Sequence, residues 1–253
     1  MRSCIAVLTR GYSDISGYDL LIKRNLAIQM NLCNKSIDIL IFHEGNITGE
    51  HQSHIIDKTP CLEIHFINVN NGLAFKSHKS EIEFDPGTSL FGIGYRHMCS
   101  FWFVDFWNFV GNYDKMLRID EDCFIDCNID AILNEVDRYN FICGKWIEDH
   151  DFVTIGMNNL SLDFIKEYNI AHSRKPSGPY TNVCAINLRI LRTNTLLSKY
   201  INAVDESDNI YKYRWGDLPL WGEVIYYIFG MESILVDANI KYFHESHDMK
   251  VNF

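Results

Sequence analysis

Lys115-Met116-Leu117-Arg118-Ile119-Asp120-Glu121-Asp122 is the stretch whose reading decides the fold. An apolar run follows the turn signal Gly111-Asn112-Tyr113-Asp114 and stops in three carboxylates. Apolar runs of this length, bounded by a turn, read as a buried strand. Side chains alternate along a strand, so Asp120 and Asp122 are expected on one side and Glu121 on the other. Two carboxylates sharing one side of a strand's carboxyl end repel each other unless a cation lies between them. Hard divalent ions such as Mg²⁺ or Mn²⁺ take oxygen ligands and commonly hold a substrate's phosphates as well. A metal–diphosphate site is one reading. A strand end that runs out into a solvated acidic turn is the other, and the octapeptide alone leaves both open.

The chain before this stretch alternates strand and helix patterns. Cys4–Thr9 reads as an apolar strand, as expected of a parallel strand covered on both faces, Ile37–Phe42 as a second buried strand, and Leu62–Val69 as a weaker, alternating third. Between them, Tyr18–Met30 has helical spacing and His51–Asp57 reads as a short helix. A β-α-β-α-β order implies a right-handed, doubly wound, mostly parallel sheet flanked by helices. Such sheets bind ligands beyond the carboxyl ends of their strands, where Thr9-Arg10-Gly11, Asp120 and Asp122 fall. The polar segment 70–89, with Asp85-Pro86-Gly87, reads as a loop, and the aromatic-rich Gly92–Val110 as a helix under the acidic strand, with Tyr95 and Arg96 able to face a ligand. Beyond residue 122, helices are expected over 129–136, 160–168 and 190–201, strands over 141–144, 181–188 and 234–237, and a loop over 173–179. Arg214-Trp215-Gly216-Asp217-Leu218-Pro219 reads as a tight loop before a helix, with Asp217 either capping that helix or facing the cleft. No composition shift marks a boundary, so residues 1–253 are expected to form a single domain, with a nucleotide-binding half over 1–122 and an acceptor-binding half over 123–253.

The 253 residues carry 23 Lys and Arg against 33 Asp and Glu, a net charge of −10. An acidic chain repels nucleic-acid phosphate and anionic lipid, which disfavours both as partners. An anionic substrate would need a local cation. The eight Cys are scattered without a Cys-x-x-Cys pair, which argues against a zinc site and for reduced thiols. No stretch is long enough to span a bilayer and none reads as a signal peptide, so the expectation is a soluble cytoplasmic protein, encoded by a virus or a microbe.

Several segments in order resemble the fungal α-1,2-mannosyltransferases. Gly94-Tyr95-Arg96-His97-Met98-Cys99-Ser100-Phe101 is similar to that family's Tyr-Arg-x-Met-Cys-Arg-Phe segment. Tyr113 to Asp122 resembles its Tyr-x-x-x-Trp-Arg-Val-Glu-Pro-Asp/Asn segment, and Tyr213-Arg214-Trp215-Gly216-Asp217-Leu218-Pro219 its Glu-Arg-Trp-Gly-Asp-Ala-Pro. Lys241-Tyr242-Phe243-His244 resembles its Gly-Tyr-x-His, and Thr181-Asn182-Val183-Cys184 echoes its Asn-x-Cys stretch. The resemblance covers about residues 94–244. It implies a GT-A fold, a nucleotide-sugar donor (GDP-mannose in the family; a GDP- or UDP-sugar here), a glycan acceptor and Mn²⁺, with Mg²⁺ as the alternative.

Residue by residue, Asp120 falls where the family has a Glu beside the metal, Asp122 completes an Asp-x-Asp-type pair, and His244 falls on a histidine metal ligand. Arg118 falls on an arginine beside the donor. Arg10 matches a donor-contacting arginine in place, with Thr9, Gly11, Tyr95 and Asp120 as further donor contacts. The family's proposed catalytic Glu is Tyr213 here; Tyr213 and Asp217 are the catalytic candidates, with Asp217 as the base if the reaction inverts and Asp217 or Glu223 filling the Glu's place if it retains. Trp215 and Trp146 are candidates to stack an acceptor sugar, and His247 is the alternative to His244. The departures at Tyr213 and at Ser100, which replaces an arginine, bear on the stereochemistry and on mannose itself. The family's amino-terminal membrane anchor has no counterpart here. Two other functions are compatible with an open sheet and an acidic site: a sugar-nucleotide nucleotidyltransferase, disfavoured because Thr9-Arg10-Gly11-Tyr12 lacks a Gly-rich loop with lysine, and a non-catalytic nucleotide-sugar-binding module.

Overall fold

The computed structural model describes residues 1–34, 36–166 and 175–248; the side chains of His247 and Asp248, residues 167–168 of the third expected helix and residues 173–174 of the expected loop lie outside it. The elements in chain order are β1 (Ser3–Leu8), α1 (Asp19–Asn31), β2 (Asp38–His43), α2 (Gly49–Lys58), β3 (Glu63–Asn68), α3 (Ile93–Ser100), β4 (Lys115–Ile119), β5 (Cys123–Ile125), α4 (Ile129–Glu135), β6 (Phe141–Cys143), β7 (Trp146–Glu148), α5 (Met157–Lys166), β8 (Ser177–Pro179), β9 (Val183–Ile186), α6 (Leu188–Arg192), α7 (Thr195–Glu206), α8 (Asn209–Tyr213), α9 (Asp217–Val224), β10 (Ile234–Val236), β11 (Tyr242–His244) and α10 (Glu245–Asp248). Seven strands form one sheet in the order β10-β6-β9-β4-β1-β2-β3. All run parallel except β9, which is antiparallel to both β4 and β6.

Register explains the unbroken apolar character of the central strands. Cys4 and Ala6 enter one core while Ile5 and Val7 enter the other, so both faces of β1 are covered. α1, α2 and α4 cover the second face; α3, α7 and α9 cover the first with a dense set of rings, including Trp102, Phe103, Phe106 and Trp221.

Three expected elements differ. The helix read over 92–110 holds α-geometry only over α3, then widens into a π turn over Phe101–Asp105 and closes as a 3-10 turn over Phe106–Asn108. Bulky consecutive rings at 101–103 are each buried, and one extra residue in the turn lets all of them face the core. The helix read over 190–201 is two, α6 and α7, because Asn194 caps the second through its side chain to the Leu197 amide. The loop read over 173–179 contains β8, which pairs with β7 as a small ribbon. A second ribbon, β11 with β5, had no signal in the sequence beyond its aromatic alternation. No helix among the described residues is long and apolar enough to cross a membrane.

Candidate active site

β4 ends at Ile119, and the three acids that follow form a turn closed by the Cys123 amide donating to the Asp120 carbonyl at 3.1 Å. Because they lie in a turn, strand alternation does not govern them. Asp120, Glu121 and Asp122 all line one cleft of about 550 Å³. Its other walls include Leu8, Thr9, Arg10 and Tyr12 after β1, Glu44 after β2, Phe75, Gly94 and Tyr95 at the start of α3, and Met98, Trp102 and Arg118. The cleft therefore opens at the carboxyl ends of the parallel strands.

Each acid has a different partner. Asp120 accepts from Arg118 Nε at 2.7 Å and Nη2 at 3.1 Å, and from the Asn182 amide at 3.3 Å. Glu121 accepts from the Thr9 hydroxyl at 2.6 Å and the Tyr12 hydroxyl at 2.8 Å, which ties the acidic turn to the loop after β1. Burial pushes the Glu121 carboxyl up, against the pull of those two hydrogen bonds. Asp122 Oδ2 lies 3.3 Å from His244 Nε2, and the contact with His244 holds the Asp122 carboxyl down to about 2.

His244 reaches Asp122 because β11 pairs with β5 in the register His244–Cys123. Its Nε2 also lies 3.1 Å from the Ser246 hydroxyl, and its Nδ1 lies 3.3 Å from the Tyr180 hydroxyl. A proton on Nδ1 would donate to Tyr180 and place the Nε2 lone pair, beside Asp122, Ser246 and Asn182, in position to bind a cation. Adjacent ligands of a small divalent ion stand about 3 Å apart, so the spacing of Asp122 and His244 fits such an ion. A mixed carboxylate and imidazole set suits Mn²⁺ better than Mg²⁺. Cys123 Sγ is within 4.8 Å of both, and burial raises its thiol pKa. Asp120 stands apart from this set, with both oxygens held by Arg118.

Arg118 is buried between two carboxylates: Asp120 on one side and Asp217, whose Oδ2 accepts from Nη1 at 2.5 Å, on the other. Its guanidinium also lies 4.4 Å from the Trp102 ring centre. Burial alone would lower its pKa, but the two carboxylates outweigh it and keep the group charged. A second buried arginine, Arg24 of α1, sits beneath the turn and donates to the carbonyls of Ile119 at 2.9 Å and Ala6 at 3.2 Å. Burial lowers its pKa to about 10, yet it remains a cation at neutral pH under the three acids. Nothing in the sequence singles out Arg24, a lone arginine within the helical pattern of α1.

The loop after β1 is shaped by Gly11. Its amide donates to Asn46 Oδ1 at 2.9 Å, and a Cβ there would come 2.4 Å from the Asn46 carbonyl oxygen. Arg10 is exposed at the mouth, its guanidinium 5.0 Å from the Tyr12 ring centre. Tyr95 faces the cleft and accepts from Arg214 Nη2 at 2.5 Å, whereas Arg96 is fully buried and donates to the carbonyls of Phe91 and Thr88.

Four expected roles meet a different geometry. Asp217 is the first residue of α9, with Gly216 in the capping position, so it does not cap; it is 5% exposed, faces Arg118 and is absent from the cleft wall. Tyr213 ends α8 outside the cleft, its ring beneath the Lys212 ammonium. Trp215 is 0% exposed and donates to the Ile155 carbonyl at 2.8 Å, so neither ring face is open to a sugar. Trp146 is half-buried against the core and donates to the Ser177 hydroxyl at 2.9 Å.

Comparison with solved structures gives the architecture a family of neighbours. The mannosyltransferase Ktr4p from S. cerevisiae superposes with a TM-score of 0.80 at 16% identity, over 96% of this chain and 70% of that one; its complex with GDP gives 0.78 at 17%, over 96% and 71%. The fold is GT-A. Core-mannan synthase A from Aspergillus fumigatus, in its Mn/GDP form, gives a TM-score of 0.72 at 12% identity over 95% of this chain and 72% of that one. More distantly, mouse xyloside xylosyltransferase 1 gives 0.54 at 14% over 93% and 85%. No protein-family model and no curated protein sequence matches the chain. In GT-A terms the acidic turn follows a central parallel strand, and antiparallel β9 supplies Asn182 against it.

Proposed function

We propose that this protein is a divalent-metal-dependent glycosyltransferase that moves a sugar from a nucleoside-diphosphate donor to a hydroxyl of a glycan acceptor. The observation that carries the reading is the Asp122–His244 pair, 3.3 Å apart, at the cleft shared with the loop after β1 and with Arg118. The GT-A fold supports it, as do neighbours solved with GDP and with Mn/GDP.

Asp122 and His244 would hold the cation, Mn²⁺ by the donor set, which supplies charge neutralisation to the departing diphosphate. Arg10, exposed at the cleft mouth, is placed to donate charge-assisted hydrogen bonds to phosphate. Thr9 and Tyr12 fix Glu121, and Glu121 in turn fixes their loop against the acidic turn. Gly11 keeps that loop pressed on Asn46. Asp217 acts as a positioning residue: it locks Arg118, and Arg118 orients Asp120 toward the cleft. Tyr95, held by Arg214, closes the wall opposite the acids.

Incubation with a panel of UDP- and GDP-sugars and Mn²⁺ tests the reading. Release of nucleoside diphosphate, lost on chelation and reduced roughly 10–100-fold or more in Asp122→Asn and His244→Ala, is expected. Release of pyrophosphate would point instead to nucleotidyl transfer, and tight donor binding with no turnover on any acceptor to a binding module.

A further inference from the structure

His244 lines one cleft and pairs with Asp122 of another. Its Nε2 faces Asp122 and the donor side, while the ring also lines a second cleft of about 450 Å³ with Lys145, Ile147, Tyr180, Ile240, Lys241 and Tyr242. The two small ribbons build this second cleft. On β11, Tyr242 and His244 share one face while Phe243 turns away to stack on Phe124. On β7, Ile147 and the preceding Lys145 lie to the cleft side while Trp146 turns toward the core. Its walls come only from residues 145–244, whereas the first cleft is walled only by residues 8–122.

The charge of this second cleft differs from that of the chain. The protein carries a net charge of −10, yet two lysines and no carboxylate line the cleft among the described residues. Lys145 and Lys241 are both exposed, and among the described residues neither has an ion-pair partner within 4.0 Å. The ordinary arrangement on an acidic surface is a lysine beside a carboxylate, as Lys175 is beside Glu148 at 2.9 Å on the same ribbon. Two tyrosines offer ring surface and hydroxyls, a combination that suits a sugar, with one polar and one flat apolar side.

We infer that the second cleft is the acceptor site and that the acceptor is a saccharide bearing an acidic group, a carboxylate or a phosphate, bound between Lys145 and Lys241. The inference rests on the glycosyltransferase reading for the word acceptor, but the charge preference stands on the cleft itself. A neutral sugar gives two lysines without an ion-pair partner among the described residues nothing to pair with; an acidic one complements both, in a cleft that an otherwise acidic protein does not line with carboxylates. Seated there, the saccharide meets the donor cleft at His244 and Asp122, where transfer would occur.

Saccharide binding measured by saturation-transfer NMR at low ionic strength tests it, with a methyl glucuronide, a hexose 6-phosphate and the matching neutral hexoside as probes. Either acid is expected to bind roughly fivefold or more tighter than the neutral sugar, and the arm that binds better identifies carboxylate or phosphate. The preference should vanish in Lys145→Gln/Lys241→Gln and fall further in Lys145→Glu/Lys241→Glu; both positions are exposed, so folding is not at stake. Equal binding of acidic and neutral sugars, no saccharide binding at all, or an undiminished preference in the double variants overturns the inference. Mn²⁺-dependent donor binding by the wild type, followed alongside, tests the glycosyltransferase reading separately. Its absence overturns that reading and leaves the saccharide affinities to decide this one.

Discussion

Arg118 shows how much one side chain organises here. It is buried, carries a fixed charge, and answers two carboxylates, one two residues away and one 99 residues away. Removing one partner leaves an uncompensated buried charge, so Arg118→Met should destabilise the protein by about 3–5 kcal/mol in urea unfolding. Asp217→Asn should cost less, because an amide still accepts a hydrogen bond from Nη1. Its effect on transfer should be a fall in kcat with KM for donor little changed, since Asp217 works through Arg118 and Asp120. Asp122 predicts a pH dependence. Its folded pKa of about 2 lies below the 3.8 of an ordinary aspartate, so its stabilising contribution is fully present above about pH 4 and is lost as pH falls toward 2. Acid unfolding of wild type should therefore be steeper over this window than that of Asp122→Asn, which has no proton to take up.

At the scale of elements, the π turn after α3 and the packing of α9 on β8 carry the consequences. The π turn buries Asp105 with its carboxylate facing Lys76 at 3.4 Å and the Ser100 hydroxyl at 3.3 Å, and Lys76 also binds Asp205 of α7 at 3.0 Å. Phe75, beside Lys76, lines the donor cleft with a left-handed backbone at φ 53°, so this ion cluster anchors one cleft wall. Burial raises the Asp105 carboxyl to about 6 despite Lys76. A raised carboxyl contributes stability below about pH 4 that is lost as pH rises through 6. Wild type should lose stability relative to Asp105→Asn across this range, by on the order of 2–3 kcal/mol in urea titrations at each pH. The α9–β8 contact is backbone on backbone: a Cβ on Gly222 would fall 1.6 Å from the Ser177 carbonyl oxygen. Gly222→Ala cannot be absorbed by a side-chain shift, and should lower stability by about 2 kcal/mol or more, read as a lower urea midpoint.

For the whole molecule, the two clefts meet at one metal-ready pair, and the sheet fixes their relation. Ligands that select the folded state raise its stability by mass action: Mn²⁺ with a nucleoside diphosphate at about 100 times Kd should add about 2.7 kcal/mol. The gain should require both components and disappear in His244→Ala; a gain from nucleotide alone, unaffected by that change, would count against the cation site. The parallel half of the sheet was legible in the sequence because strands covered on both faces carry apolar runs, as Cys4–Leu8 of β1 and Ile39–Phe42 of β2 do. The site was legible in part. Asp120, Asp122 and the loop after β1 stood out as polar residues ending apolar runs, and a sheet puts such ends together; Arg118 stood out through the resemblance alone. His244 was found through its motif alone, since nothing local distinguishes a ligand histidine from any other.

What the sequence by itself determined was the β-α-β-α-β order of the first half, the strand that ends in acids, and the edge of the sheet where its polar residues gather; these follow from periodicity and composition, which are local. Only the tertiary structure decided which side chain each polar group answers. It gave Asp120 to Arg118 and Asp122 to His244, brought Glu121 into the same cleft through a turn that escapes strand alternation, and withdrew Trp215 and Asp217 into the interior. Partners separated by about a hundred residues meet through sheet order and ribbon register, and neither is encoded in the spacing of any one segment.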